Sequence, residues 1–262
     1  SWGDDSTERD YLTNLLGFQL YAEHMYDKNP SFDKVMERYD YCCRSSSQMI
    51  LDIAEIDNPE HIRPMGNSKD EGEIILDSVK DMTNPSKYLM WQDPLAGLFE
   101  TELNKIDYPK HFFECEKQLL KYKDIPEFSE SIDFYQSLCK TLALKSEMGI
   151  LLKKYYDEKN IEGLADIRDE YIPRLIALTQ DMWEKNRKLW FVRHKAFGWD
   201  VLERRYGCLT MRLKTAAYRI DGYLKGEFQI LEELEEKRMP VTDSESVAYF
   251  NDYLLTSTAW GR

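Results

Sequence analysis

The sequence is poor in glycine, proline and long apolar runs, and each shortage excludes a class of structure. Only 12 Gly and 9 Pro occur among 262 residues. These residues mark the turns between short strands, so their scarcity favours long helices over an all-β architecture. No apolar run approaches the roughly 20 residues that a membrane span needs, and no signal-peptide pattern is present. We therefore predict an all-α protein that has no membrane partner.

Basic residues are also in short supply. Lys and Arg number 35 against 48 Asp and Glu, which gives a net charge of −13. Binding to nucleic acid depends on cations that displace counterions from phosphates, and anionic membrane surfaces attract basic segments. The charge balance therefore argues against both as partners. The content of 42% hydrophobic and 32% charged residues suits a folded globular domain.

Motifs for metals, cofactors and nucleophiles are missing. The five Cys include no C-x-x-C pair, and none of the four His lies in H-E-x-x-H or three residues after a Glu. Gly-rich phosphate loops and the G-x-S-x-G elbow are absent as well. We expect no cofactor, no metal site and no disulfide framework. The cysteines are predicted to be buried, reduced thiols, which favours a cytoplasmic location.

Apolar residues at helical spacing predict most of the secondary structure. The first helix is expected to be capped by Ser6 or Thr7, and a long central helix by Ser129. Residues 55–108 are interrupted by Pro and Gly and predict a loop-rich insert with short helices, in which Tyr88–Trp91 are candidates for a brief strand. The predicted helices cover 6–26, 31–54, 109–123, 130–158, the segment from Leu164 to Met182, and 243–257.

Two features of the second half of the chain lead to further expectations. Pro173 lies inside a predicted helix, where its ring removes a backbone donor, so we expect a kink there. Farther on, apolar residues from Leu202 to Tyr223 alternate steps of four and three, and the stripe can be extended through Ile230 and Leu234. Such a stripe packs against a neighbouring helix. An intramolecular bundle is the favoured interpretation, and a homodimer seam is the alternative.

Asp-Glu pairs are candidates for catalytic acids, because some sugar hydrolases use adjacent carboxylates as acid and polariser. They occur at Asp70-Glu71, Asp157-Glu158 and Asp169-Glu170. Two of these pairs lie in highly charged helical segments. Solvated helix faces are therefore the favoured interpretation for all three.

An aromatic cluster at residues 183–199 permits two interpretations. The helical pattern breaks at Phe197-Gly198, so this segment could form a loop that presents a ring to a ligand or a partner subunit. The favoured interpretation is a hydrophobic plug between two helices. The cluster consists of Trp183, Trp190, Phe191, Phe197 and Trp199.

Trp2 and Asp4 alternate in a segment that predicts a strand end opening into a helix, so their side chains would share one face. A Trp ring can stack on the C–H face of a sugar, and a carboxylate can accept hydrogen bonds from two neighbouring hydroxyls. A simply packed Trp is the alternative. No other half of a sugar site is visible downstream, so we expect a C-terminal piece of a larger enzyme.

Several segments together resemble the β-N-acetylhexosaminidases of glycoside hydrolase family 20, in the bacterial subgroup that carries an all-helical C-terminal domain. Three residues depart from the subgroup pattern: Ala196 stands where a Pro is usual, Cys208 where a Gly is usual, and Ser6 where a Gly is common. The departures at Ala196 and Cys208 concern local turns. The segments that carry the resemblance are Trp2–Asp5 with Glu8, Gln19–Glu23, Asn84–Leu89, Trp91–Phe99, Lys195–Val201 and Arg205–Leu209.

The resemblance implies a division of labour within a larger enzyme. Residues 1–26 would be the last strand of a (β/α)8 barrel with its helix, and residues 27–262 an all-helical, bundle-like C-terminal domain. The parent enzyme would hydrolyse terminal β-linked N-acetylhexosamine by a substrate-assisted retaining mechanism. Trp2 and Asp4 would bind the substrate. The family's catalytic Asp-Glu pair follows a His-x-Gly-x sequence that no Asp-Glu pair has here, so no catalytic residue is expected in this chain.

The partners that the resemblance implies are the barrel domain and a glycan ending in N-acetylhexosamine. This chain alone would be structural and inactive: it would brace the barrel, shape the mouth of the pocket or pair subunits. An independent all-helical interaction module, unrelated to sugar chemistry, is the alternative.

Overall fold

The computed structural model describes residues 10–59, 85–97 and 106–236. Within these ranges the chain is helical and contains no strand, which confirms the predicted fold class. No helix in this part of the chain is both long and apolar enough to cross a membrane. The barrel-strand remnant predicted near Trp2 and the helix predicted at 243–257 lie outside the described residues.

Three α-helices occupy the N-terminal range. A 3-10 turn (Tyr11–Asn14) leads into α1 (Leu15–His24), and Asp10 caps this turn by accepting the Leu12 N–H at 3.2 Å. The predicted caps Ser6 and Thr7 lie outside the described residues. Helix α2 (Phe32–Cys43), α3 (Ser47–Ala54) and a 3-10 turn (Glu55–Asp57) follow.

The prediction of one continuous helix over 31–54 is wrong. Arg44 adopts a left-handed conformation with φ of +45° and ends α2. Ser46 then starts α3, because its hydroxyl accepts the Met49 N–H at 3.3 Å. The run of serines after Arg44 supplies this second cap.

The described part of the insert also differs from its prediction. The strand suggested at Tyr88–Trp91 is wrong, because these residues belong to helix α4 (Pro85–Trp91). Proline at the first helical position is favourable, since no intrahelical N–H donor is required there.

The C-terminal range forms a bundle around one long helix. Helix α5 (Tyr108–Leu119) and two 3-10 turns (Leu120–Tyr122, Pro126–Phe128) lead into α6 (Ser129–Asp157), which has 29 residues. Helix α6 packs against α5 and α4, and also against α8 (Ile172–Arg193). Ser129 is the first helical residue and donates to the Pro126 carbonyl, so it does not act as the predicted cap. The other helices are α7 (Ile161–Asp166), α9 (Trp199–Leu224) and α10 (Glu232–Glu235).

A change in helix type precedes Pro173, where a kink was predicted, and the kink itself stays a prediction. Residues Ile167–Tyr171 form a π-helical turn between α7 and α8, in which the Ile172 N–H bonds to the Ile167 carbonyl. Pro173 lies in the first turn of α8. Proline has no N–H to donate to the carbonyl four residues earlier. The wider π-helical turn lies immediately N-terminal to α8, where this donor is missing.

The four-three stripe of α9 faces the core of the chain itself. Its members from Leu202 to Ile220 are at most 6% exposed, and α9 packs on α8. This confirms the intramolecular bundle and makes the stripe unavailable as a homodimer seam. Beyond α9 the predicted extension is right for Leu234, which is buried, and wrong for Ile230, which is exposed.

Candidate functional site: the end of helix α4

Three cationic side chains converge on the segment in which α4 ends. Lys145 of α6 is 2% exposed, and its Nζ lies 2.9 Å from the carbonyl oxygens of both Leu89 and Gln92. The last carbonyls of a helix carry partial negative charge and have no intrahelical donor. The buried ammonium therefore satisfies the end of α4 and fixes it to the central helix.

Asp93 organises the turn that follows α4. Its Oδ1 accepts the N–H groups of Leu95 and Ala96 at 2.9 Å each. Arg212 of α9 binds the same carboxylate with two nitrogens, Nε at 2.7 Å and Nη2 at 3.1 Å. Burial alone would raise the pKa of Asp93, but the guanidinium and the two N–H donors outweigh it and hold the pKa below its ordinary value. Asp93 is therefore a charged, fixed link between the turn and α9.

Trp91 is held between aromatic and cationic groups. Its ring meets that of Tyr206 edge to face, with centroids 5.2 Å apart, and the guanidinium of buried Arg205 lies 5.8 Å from its centroid. Asn186 donates to the Tyr206 hydroxyl at 2.9 Å. Burial raises the pKa of Tyr206 far above its usual range, so this phenol remains neutral.

A small cleft lies beside these residues. Asp57 and Ser86 form part of its wall, where the Ser86 N–H donates to the Asp57 carboxylate at 2.8 Å. Its volume of 50 Å³ admits a water molecule or two. Ligand pockets usually have about 300–1,000 Å³, so this cleft is too small for a sugar ring.

The arrangement can brace the chain, but it offers no reactive group. Its cations bind carbonyls, a carboxylate and an aromatic ring, and its carboxylate is neutralised. In the described ranges, no group of three His, Cys, Asp or Glu residues could hold a metal ion. We therefore regard the end of α4 as a structural centre that joins the insert to α6 and α9.

The acids predicted to be solvated are solvated where the structure describes them. Asp157 pairs with Lys153, and Asp169 with Arg168 at 2.7 Å, and both carboxylates are more than half exposed. This confirms the solvated-face interpretation for these two pairs. Asp70-Glu71 lie outside the described residues, as do the predicted substrate-binding residues Trp2 and Asp4.

The aromatic cluster at 183–199 divides between its two interpretations. Trp199 is buried, and its ring centroid lies 5.8 Å from that of Trp190, so the plug interpretation is right for this pair. Phe197 is 89% exposed and Phe191 is also exposed, so the plug interpretation is wrong for them.

All five cysteines are free, as predicted, but only Cys115 and Cys139 are buried. Burial raises the pKa of the Cys115 thiol to about 12 and that of Cys139 well above its ordinary value. Both thiols are therefore unreactive at neutral pH, because the thiolate is the nucleophile.

The residues that build the α4 site were missed as functional residues, although one signal was present. Lys145 stands between Leu142 and Gly149 at steps of three and four, a core position of the α6 stripe. A lone cation at a core position indicates a buried partner, since Lys is almost never fully buried unless paired. Arg212 and Asn186 carry no comparable mark in the sequence.

Comparison with known families agrees with this geometry. The family model of the Glycoside Hydrolase 20C C-terminal domain matches residues 69–251. Among curated proteins, no match is found. The matched region contains helices α4 to α10 and the α4 site apart from Asp57, whereas α1 to α3 precede it. Because the match extends over more than half of the sequence, the chain belongs to the Glycoside Hydrolase 20C C-terminal domain family.

Proposed function

We propose that this chain is the C-terminal helical part of a β-N-acetylhexosaminidase and that its catalytic acids lie on a preceding barrel domain. The family match over residues 69–251 carries the proposal, because the family is that of a glycoside hydrolase's C-terminal domain. The parent enzyme hydrolyses terminal β-linked N-acetylhexosamine by a substrate-assisted retaining mechanism. The chain alone braces the barrel and does not hydrolyse the substrate.

Two buried carboxylates, those of Asp52 and Asp93, are unsuited to serve as a general acid. A general acid must be protonated near the working pH, which requires a raised pKa. Burial raises the pKa of Asp52, but Tyr122, Gln48 and Lys121 outweigh it and lower the pKa overall. In the same manner, burial raises the pKa of Asp93, but Arg212 outweighs it and the pKa is lowered overall. These two acids are ionised at neutral pH and serve as anchors.

The composition of α1 supports a covering barrel. Residues 11–26 contain a single charged residue, Glu23, in a chain that is 32% charged. Only Leu16 of α1 is buried, while Tyr21 is 71% and Tyr26 is 93% exposed. A helix that is apolar on all sides is normally buried on all sides. We therefore propose that α1 packs against the catalytic barrel. This agrees with the expectation that residues 1–26 are the last barrel strand and its helix.

The proposal is tested by measuring p-nitrophenyl-N-acetylglucosaminide turnover by two proteins. One is this chain alone, and the other is the chain continuous with the coding sequence upstream of Ser1. We expect turnover only from the longer protein. Turnover by the chain alone, or an upstream sequence that encodes no hexosaminidase barrel, would refute the proposal and favour an independent interaction module.

The roles of Trp2 and Asp4 are tested in the longer protein. Asp4→Asn removes charge-assisted hydrogen bonds to sugar hydroxyls, worth about 1.5–3 kcal/mol, so kcat/KM should fall roughly 10- to 100-fold. Trp2→Ala should lower kcat/KM through lost stacking. Asp5→Asn is the matched control, because alternation along the proposed strand would turn Asp5 to the opposite face. Equal losses for Asp4→Asn and Asp5→Asn would contradict the assignment.

A further inference from the structure

The loop between α8 and α9 displays apolar side chains on a fixed backbone. Phe197 is 89% exposed, and Phe191 and Val192 are exposed beside it. The Trp190 indole donates to the Lys195 carbonyl at 2.8 Å. Gly198 has a φ of +94° and lies against the Trp190 ring, where an added Cβ would be 3.4 Å away. Phe197 is therefore presented to the outside by a constrained turn.

This loop lies where the N-terminal part of the chain joins the bundle. The Asp10 carboxylate is fully buried, accepts a hydrogen bond from Ser131 and lies 3.8 Å from Arg193 Nε. The Asp10 N–H also donates to the Tyr135 hydroxyl at 3.2 Å. Arg193 precedes Phe197 by only four residues. Nine residues span at most about 30 Å, so a catalytic domain joined to Ser1, as proposed, would begin within that distance of Asp10.

The charge around the loop is opposite to that of the whole chain. Residues 184–204 contain six Lys and Arg against three acidic residues, whereas the chain has a net charge of −13. An apolar centre with a charged rim is the usual composition of a protein interface. Four of the six basic residues pair with carboxylates of the chain, namely Lys185, Lys188, Arg193 and Arg204. Lys195 is exposed two residues before Phe197, so a partner surface with an acidic group suits this side of the loop.

We infer that the α8–α9 loop is a docking surface for the catalytic domain, with Phe197 as its apolar centre and exposed Lys195 in its rim. This inference rests on the proposed function, which supplies the preceding domain. Together with α1, the loop would hold the helical domain at two points on either side of Asp10. Two separated contacts would fix the orientation of the helical domain relative to the catalytic domain, which the covalent connection alone leaves free.

Photo-crosslinking in the longer protein tests the inference. A benzophenone amino acid replaces Phe197 in one variant and Phe113, an exposed phenylalanine of α5, in the control. We expect position 197 to give a crosslink to the catalytic domain of the same polypeptide, identified by mass spectrometry, and position 113 to give none. Crosslinks from 197 only to a second copy, or no crosslink, would overturn the inference.

The activity of the same preparations separates this inference from the proposed function. Active protein without a crosslink from position 197 removes the docking surface and leaves the hexosaminidase assignment intact. Inactive protein that crosslinks from 197 to the preceding domain removes the assignment and supports the docking surface. Both positions are exposed, so the substitutions should leave the fold of the helical domain intact.

Discussion

Helices α9 and α1 are both rich in apolar residues, but the rest of the chain covers α9 far more completely. Apolar residues of α9 recur at steps of four and three, and its stripe is almost fully buried. In α1 only Leu16 is buried, Leu15 and Leu20 are partly buried against the core, and Tyr21 is exposed. A periodic stripe thus identifies a helix that completes its own domain. An apolar helix without a stripe indicates a surface that another domain covers.

The two regions also differ in how polar groups fix the packing. In the bundle, α6 carries buried Lys145, Ser137 and Thr141, and each has a hydrogen-bond partner in another element. By contrast, α1 is joined to α2 through Gln19, which donates to the Val35 carbonyl at 3.3 Å, and through the Glu23–Arg38 pair at the surface. These three satisfied buried groups favour one arrangement of the bundle helices. The position of α1 should depend more on what covers it.

The largest expected effect on stability comes from removing a core side chain of α9. Leu213→Ala removes a fully buried side chain and leaves a cavity, so the free energy of unfolding should fall by about 2–5 kcal/mol. Met211→Ala is the control on the same helix, because Met211 is exposed. Urea unfolding followed by circular dichroism measures both. Similar losses for the two variants would mean that the stripe of α9 is not the core.

The second expected effect concerns the buried cation of α6. Lys145→Met keeps the volume but leaves the Leu89 and Gln92 carbonyls without this donor. We expect a loss of about 2–4 kcal/mol, because unsatisfied buried polar groups cost about 1–3 kcal/mol each. Lys154→Met, at an exposed position of α6, should change stability by less than about 0.5 kcal/mol. Equal stability of the two variants would show that the end of α4 does not depend on Lys145.

Whether a feature of the fold can be predicted depends on how far apart in the sequence its interacting residues lie. The stripe of α9 repeats locally, so the sequence alone locates its buried face. The partners of Lys145 are backbone carbonyls 53 and 56 residues away, and a carbonyl leaves no mark in the sequence. The break at Arg44 was missed for a related reason, because a left-handed residue other than glycine has no distinctive neighbours.

Exposure was harder to predict than secondary structure. The sequence locates a break at Phe197-Gly198, but whether Phe197 turns inward depends on Trp190, which binds the loop backbone from α8. The anchoring of Asp10 by Ser131 and Arg193 likewise joins residues more than 100 positions apart. Such contacts arise from the tertiary arrangement of helices, which apolar periodicity does not determine.

A third prediction uses pH to test the link between the insert and α9. The folded-state pKa of Asp93 lies below its unfolded value of about 3.9, so its contribution is present above that pH and is lost as pH falls through the folded pKa. Asp93→Asn should lower stability by about 1–3 kcal/mol at pH 7 and flatten the acid side of the stability curve. Asp200→Asn, which breaks an exposed pair with Arg204, should leave the curve unchanged within about 0.5 kcal/mol. An identical acid profile for Asp93→Asn and the unsubstituted chain would exclude this role.

The smallest expected effect in the chain alone belongs to the exposed face of α1. Tyr21→Gln replaces an exposed ring with a residue of good helix propensity. The free energy of unfolding of the chain alone should therefore change by less than about 0.5 kcal/mol. With the catalytic domain attached, the same change should destabilise by about 1.5–3 kcal/mol, because the ring is then buried. Tyr218→Gln on α9 is the matched control, since Tyr218 is similarly exposed. Urea unfolding measures both changes in the chain alone and in the protein with the catalytic domain. If Tyr21→Gln and Tyr218→Gln change the free energy of unfolding equally in both proteins, α1 is an ordinary surface helix and the contrast with α9 disappears.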